Sequence, residues 1–266
     1  MQNSGKTWGH IIGIYCSLGK KSSIERKLKE FRMLRWDKMK KTPISETTDL
    51  DFLELMRAGG TYTQEVLKTL QNYALDQRDL ERPVMSQKWW PPRGKKIQRA
   101  ITLDEHRVLV ANIRGVDWPR YLELLWATGA SQSDAAGFRL ESIKNGELEY
   151  RRMKTGSRAA LRLTQKALDI VAAATLGRET GFILPSIQRL SNDRRADHFR
   201  KWCIRLGVET GETGVTLHSY RYSWARRAYE EGIEQRQAMI AVGHNSAAIH
   251  HYYARGASVV APSLQS

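Results

Sequence analysis

"GVTLHSYRYSWARRAY", residues 214–229, decides how the chain is read. Leu217, Tyr220, Trp224 and Ala228 recur at helical spacing and predict the buried stripe of a helix beginning near Thr216. His218, Arg221 and Ala225 fall at i, i+3 and i+7 on the adjoining face, so a histidine and an arginine project side by side at the edge of the core. Alone, such a pair fits a cap or a basic surface. Its meaning depends on what else the chain brings to that face.

Downstream, "MIAVGHNSAAIHHYYARG", residues 239–256, offers Gly243 as a helix stop, His244 in the junction, and Asn245 or Ser246 as the next cap. Tyr252 and Tyr253 follow, pointing roughly 100° apart on a helix, so at most one shares a face with Ile249. Upstream, "GELEYRRMKTGSRAALRLT", residues 146–164, alternates Leu148, Tyr150, Arg152, then Ala160 and Arg162, about a "KTGSR" turn. That pattern predicts a β-hairpin with Lys154 at its tip. "DWPRYLELLWATGASQSDAAGF", residues 117–138, reads as two helices joined at Gly129, and "TLDEHRVLVANI", residues 102–113, as a capped helix.

Lys and Arg number 43 against 28 Asp and Glu, a formal charge of +15. That excess repels itself unless a polyanion offsets it, which makes nucleic acid the first partner to consider. Hydrophobic residues at 41% and charged residues at 27% are ordinary for a globular protein and argue against wholesale disorder. Cys16 and Cys203 are too few and too far apart for a disulfide framework or a zinc site, which fits a reducing compartment. "IIGIYC", residues 11–16, is too short for a membrane span and lacks a cleavage site. The expectation is a soluble, cytoplasmic protein with no membrane partner.

The predicted fold is mainly α with a small antiparallel β-sheet. Residues 1–22 mix Gly, Ser and Lys and read as a loose basic arm. Residues 23–85 read as a small helical domain with Ile24, Leu28, Phe31 and Leu34 on one stripe and Val66, Leu70 and Tyr73 on another. In residues 86–98, Pro91 and Pro92 break the pattern, and Lys88, Arg93, Lys95 and Lys96 suit a linker lying along phosphates. Residues 99–266 form the second domain.

"HSYR", then "GH", then a tyrosine nine residues after that histidine, with "KTG" upstream, resembles the catalytic domain of the tyrosine recombinases, the phage integrase family. The likeness spans about residues 100–257. The helical unit before the linker looks like that family's core-binding domain, which clamps the other side of the duplex.

The resemblance implies site-specific cutting and rejoining of double-stranded DNA through a 3′-phosphotyrosyl link. Tyr253 attacks, Arg221 holds the phosphate by a charge-assisted fork, His218 accepts or orients the tyrosine proton, His244 hydrogen-bonds the phosphate, and Lys154 protonates the departing oxygen. The link conserves bond energy, so neither ATP nor a metal is implied, and no cofactor is expected. Self-association on DNA, from dimer to tetramer, is implied too.

One departure stands out. The family usually has an arginine shortly after a "TG" turn; here Ser131 occupies that place. Arg139 lies eight residues along, about 12 Å away if the helix continues. Arg152, two residues from Lys154 on the same face of the strand, is the candidate compensating cation. Loss of one such donor costs about 10²–10³ in rate, so the alternative is a weak or inactive recombinase-derived DNA-binding protein.

Two other chemistries fit poorly. "SLGK" at 17–20 and "KTG" at 154–156 echo serine β-lactamases, but no Ser-Asp-Asn motif joins them. His244, His250 and His251 lack an accompanying carboxylate or thiolate at helix spacing, so no metal site is expected.

Overall fold

Trp8, Ile11, Ile12 and Cys16 recur at helical spacing, and they form the buried face of α1 (Trp8–Ser17). The expected loose arm over residues 1–22 is therefore corrected for this segment; Gly9 and Gly13 dilute a stripe that the core nevertheless uses. The computed structural model describes residues 5–18, 21–92, 99–211, 213–255 and 257. It divides into two units, Met1–Lys95 and Lys96–Ser266.

The first unit continues through α2 (Lys21–Phe31), α3 (Asp37–Lys41), α4 (Asp49–Gly59) and α5 (Thr61–Asp76). Its core gathers Trp8, Trp36, Phe52, Leu67 and Leu70. The expected stripe of Ile24, Leu28, Phe31 and Leu34 is only partly used: Phe31 is buried, whereas Leu34 is 85% exposed and Leu28 is exposed too. The cause is local. The helix stops at Phe31, and a 3₁₀ turn (Leu34–Trp36) resets the phase so that Trp36 and Met39 face inward instead.

Two buried charges tie this unit together. Lys27 donates to the carbonyls of Tyr15 (2.9 Å) and Leu18 (2.8 Å) at the C-terminal end of α1, where a cation meets unsatisfied carbonyls. Glu30 accepts from Thr63 Oγ1 (2.7 Å), Trp36 Nε1 (3.0 Å) and the Arg35 guanidinium. The described part of the expected linker packs on this unit as well. Trp90 tilts against Phe52 with ring centroids 5.9 Å apart, and Gln64 Nε2 donates to the Pro91 carbonyl. Lys88 is exposed there, while Arg93, Lys95 and Lys96 lie outside the described residues.

The second unit runs α6 (Leu103–Asn112), α7 (Trp118–Thr128), α8 (Gln132–Ala136), β1 (Ile143–Lys144), β2 (Glu147–Arg151) and β3 (Arg158–Arg162). It continues with α9 (Gln165–Thr175), α10 (Pro185–Gln188), α11 (Asn192–Arg205), α12 (Ser219–Glu230), α13 (Gln235–Val242) and α14 (Ala247–Ala254). It is mainly helical with one antiparallel sheet of order β1-β2-β3.

The hairpin's faces differ from the predicted alternation. Leu148 pairs with Leu161 and Tyr150 with Ala159, so Ala160 and Arg162 face the other way, opposite Glu149 and Glu147. A capping box of Thr102 and Glu105 starts α6.

α12 lies at the centre of this unit. Tyr220, fully buried, meets His106 Nδ1 through its hydroxyl at 3.3 Å, and Ser223 Oγ donates to the Ile101 carbonyl. The helix begins at Ser219 rather than Thr216, with His218 as its N-cap residue. Trp224 is only half-buried, and Arg221 has no exposed surface at all, so it lies within the core rather than at its edge.

Candidate active site

A guanidinium without solvent needs other partners, and helix ends supply them. Arg221 Nη1 donates to the Gly129 carbonyl (2.9 Å), just past α7, and Nη2 donates to the Val242 carbonyl (2.6 Å) at the end of α13. The C-terminal poles of two helices thus point at one cation, as their dipoles favour. Its Nε donates to His244 Nε2 at 3.2 Å. Three of the five guanidinium hydrogens are thereby placed, and two remain. Burial, then Arg152, lowers its pKa to about 10, which still leaves it cationic at neutral pH.

The two helix ends are closed by glycines in the left-handed conformation, Gly129 (φ 61°) and Gly243 (φ 63°). A Cβ would meet Trp224 Cγ at 2.6 Å at the first and Arg152 Cδ at 2.6 Å at the second. Either substitution combines backbone strain with a collision, and either would move a wall of the Arg221 pocket.

Tyr253 comes from α14 and meets α12. Its hydroxyl is 2.8 Å from His218 Nε2. Its ring stacks on His244 with centroids 4.7 Å apart, and Arg221 Cζ lies 5.4 Å from the ring centre. Tyr252 is 46% exposed and packs edge-on against Tyr222. Ser246, not Asn245, caps α14 by accepting from Ile249 N. Burial, then Arg221, Arg152 and Lys154, pushes His218 down to about 4. Burial, then Arg221, His250 and Arg152, pushes His244 down to about 3. Both rings are neutral at neutral pH.

Ser131 and Arg152 meet through Asp134. Ser131 is the N-cap of α8: its hydroxyl accepts from Asp134 N (3.3 Å) and donates to Asp134 Oδ2 (2.7 Å). The other carboxylate oxygen accepts from Met153 N at 2.9 Å. Arg152 Nε sits 3.5 Å from Asp134 Oδ2, and Arg152 Nη1 donates to the Gly243 carbonyl at 3.2 Å.

Two sequence expectations change here. β2 ends at Arg151, so Arg152 and Lys154 share no strand face; Arg152 opens the hairpin turn and folds inward, while Lys154 stays exposed at the tip. α8 ends at Ala136, so Arg139 is not on a continuing helix; it pairs with Glu141 and covers Phe182. His218, Arg221, His244, Tyr253 and Arg152 are thus gathered in one cluster, with the charge of Lys154 felt at His218.

The sequence reading missed Asp134, whose Ser-x-x-Asp spacing signals a capped helix start. It also dismissed His250, now against His244. Among the described residues, no group of three or more His, Cys, Asp or Glu side chains could hold a metal ion, and no helix is long and apolar enough to cross a membrane.

The left-handed glycine stop before His244, the tyrosine one helix later and the buried arginine on the preceding helix all lie within one stretch that matches a known family. Residues 97–258 match the phage integrase family, and the chain belongs to it. Its fold is similar to that of a lambda integrase dimer bound to a COC′ core site, with a TM-score of 0.77 and 19% identity over 98% of this chain and 81% of that one. A lambda integrase tetramer bound to a Holliday junction gives 0.78 and 18% over 99% and 81%. The Tn1549 transposon integrase in complex with circular intermediate DNA gives 0.74 and 13% over 96% and 97%. At these identities the likeness is one of fold. No curated protein matches the chain.

Proposed function

We propose that the protein is a site-specific DNA recombinase that cuts and rejoins duplex DNA through a covalent bond to Tyr253. The observation that carries this reading is the 2.8 Å contact between the Tyr253 hydroxyl and the neutral Nε2 of His218, beside the Arg221 guanidinium. A neutral imidazole with a free lone pair can take the phenol proton as the oxygen attacks phosphorus. The Tyr253 O–P bond forms, the bond to the 5′ oxygen breaks, and Lys154, exposed on a hairpin tip, supplies the proton to that oxygen. The two unplaced hydrogens of Arg221 fork the non-bridging oxygens. Rejoining reverses the sequence.

The ring of Tyr253 lies over a guanidinium that has no exposed surface. Engagement of a phosphate therefore requires the ring to swing aside. The positive charge of +15 suits the DNA partner, and both units contribute to a binding affinity that falls steeply with salt. Several protomers act together on DNA in this reading, which the lambda integrase dimer on a core site and the tetramer on a Holliday junction support.

Arg152 replaces the cation that Ser131 does not provide. Its 13% exposure and its reach to Gly243 put it beside the same pocket, where its charge depresses both His218 and His244. One observation favours a catalytically weak or binding-only protein: Ser131 is committed to Asp134, and Arg152 is partly neutralised by that same carboxylate.

The test uses a pool of nicked duplexes with randomised flanks, incubated with the whole chain and resolved under denaturing conditions. The recombinase reading expects a protein–DNA adduct that survives denaturation. DNA binding without any adduct would leave the binding-only reading.

A further inference from the structure

The ring nitrogens behind Arg221 fix one another's protons. An arginine Nε can only donate, so His244 Nε2, 3.2 Å away, must accept. A neutral His244 then carries its hydrogen on Nδ1. That nitrogen lies 3.1 Å from Nδ1 of His250, which must accept in turn and hold its own hydrogen on Nε2. Both residues are buried, at 7% and 3% exposure. Burial, then Arg221 and His251, holds His250 below its usual range; His244 faces Arg221, Arg152, His218 and the Tyr253 ring, so neither ring is protonated at neutral pH. The opposite assignment would set two N–H groups against each other at Arg221. Only one tautomer pair satisfies both contacts.

We infer that His250 is a positioning residue that, together with Arg221, holds His244 in the Nδ1–H tautomer, so that His244 Nε2 orients Arg221 by accepting from it rather than donating to the phosphate as the sequence suggests. His250 precedes Tyr253 by three residues on α14, so one helix face carries both the tyrosine and the group that orients His244. Docking of Tyr253 on His218 and docking of His250 on His244 are thereby one event. The role in catalysis rests on the recombinase reading; the tautomer does not.

Long-range ¹H–¹⁵N spectra of histidine-labelled protein, with His244 identified by substitution, read the tautomer directly. The wild type should show His244 with a protonated Nδ1 and a bare Nε2. In His250→Asn, Oδ1 sits as many bonds from Cα as the imidazole Nδ1 and can still accept, so the tautomer should hold and adduct formation should stay within a few-fold. In His250→Ala the ring of His244 is free to turn from Arg221 Nε, and a fraction protonated on Nε2 should appear. Adduct formation should then fall about 10- to 100-fold, the range for losing the partner that orients a metal-ligating histidine, with DNA affinity unchanged. A wild-type His244 protonated on Nε2, or an unchanged tautomer in His250→Ala, overturns the inference. If both variants merely lower the melting temperature while the tautomer stays, His250 is structural and the inference is also overturned. Absence of adduct from the wild type rejects the recombinase reading, while the spectra still decide the tautomer.

Discussion

Each unit buries a charged cluster, but the two clusters are finished to different degrees. In the first, Glu30 is surrounded by Thr63, Trp36 and Arg35, and both carboxylate oxygens accept from donors of the same unit. In the second, like charges crowd together: Arg221, Arg152 and Lys154 all oppose protonation of His218. Two guanidinium hydrogens of Arg221 remain unassigned. A buried network that closes on itself is structure. One that gathers cations and keeps donors in reserve is set up for an anion.

The sharpest way to break this comparison is to remove one member from each cluster. Arg221→Ala should lower adduct formation at least about 10²–10³-fold, the range for loss of one stabilising donor. It should also destabilise the second unit by about 1–3 kcal/mol for each acceptor left buried and unpaired. Glu30→Gln should cost about 1–3 kcal/mol in urea unfolding and leave the cleavage rate per folded molecule unchanged. Equal catalytic damage from both would erase the distinction.

Next in size is the Ser131–Arg152 pair. Arg152→Ala should raise the barrier to cleavage by about 2.7–4 kcal/mol without weakening DNA binding. Ser131→Arg should gain little, because it forfeits the α8 cap, at about 0.5–2 kcal/mol, and crowds Arg152 near Asp134. A faster Ser131→Arg beside an indifferent Arg152→Ala would mean that the missing charge was never replaced.

The units should also separate on acidification. His218 and His244 are held at about 4 and about 3 when folded, below the usual 6.5, so the unfolded chain takes up protons first. Stability of the second unit is full above about 6.5 and is lost as pH falls toward those values. Glu30 has the same sign but a lower window: burial alone would raise its pKa, but Thr63, Trp36 and Arg35 together hold it below 4.5. Its contribution is retained until the pH drops below about 4.5. Two-step urea unfolding at about pH 7 and about pH 5 should therefore weaken the second transition and spare the first. Arg139→Ala, on the exposed rim, is the small-effect control, expected within about 0.5 kcal/mol and without effect on cleavage.

Much of this is legible in the sequence. Gly129 and Gly243 announced helix stops, and the His218–Arg221 spacing put two polar side chains together. Three features were hidden for physical reasons. The α1 stripe is interrupted by glycines that carry no hydrophobic signal. Residues 32–36 reset a helical phase that periodicity alone extends through Leu34. The depth of Arg221 depends on carbonyls from Gly129 and Val242, which arrive through tertiary packing. His250 is legible in the sequence only as a rejected metal ligand, and its role comes from the His244 ring opposite it.

Peptide mapping of the covalent adduct tests the central claim most directly. The tyrosine that holds DNA should be Tyr253, the one 2.8 Å from His218. Tyr253→Phe should abolish the adduct while DNA affinity stays nearly intact, and Tyr252→Phe should behave like the wild type. DNA linked to Tyr252, or an adduct that survives Tyr253→Phe, would contradict the account.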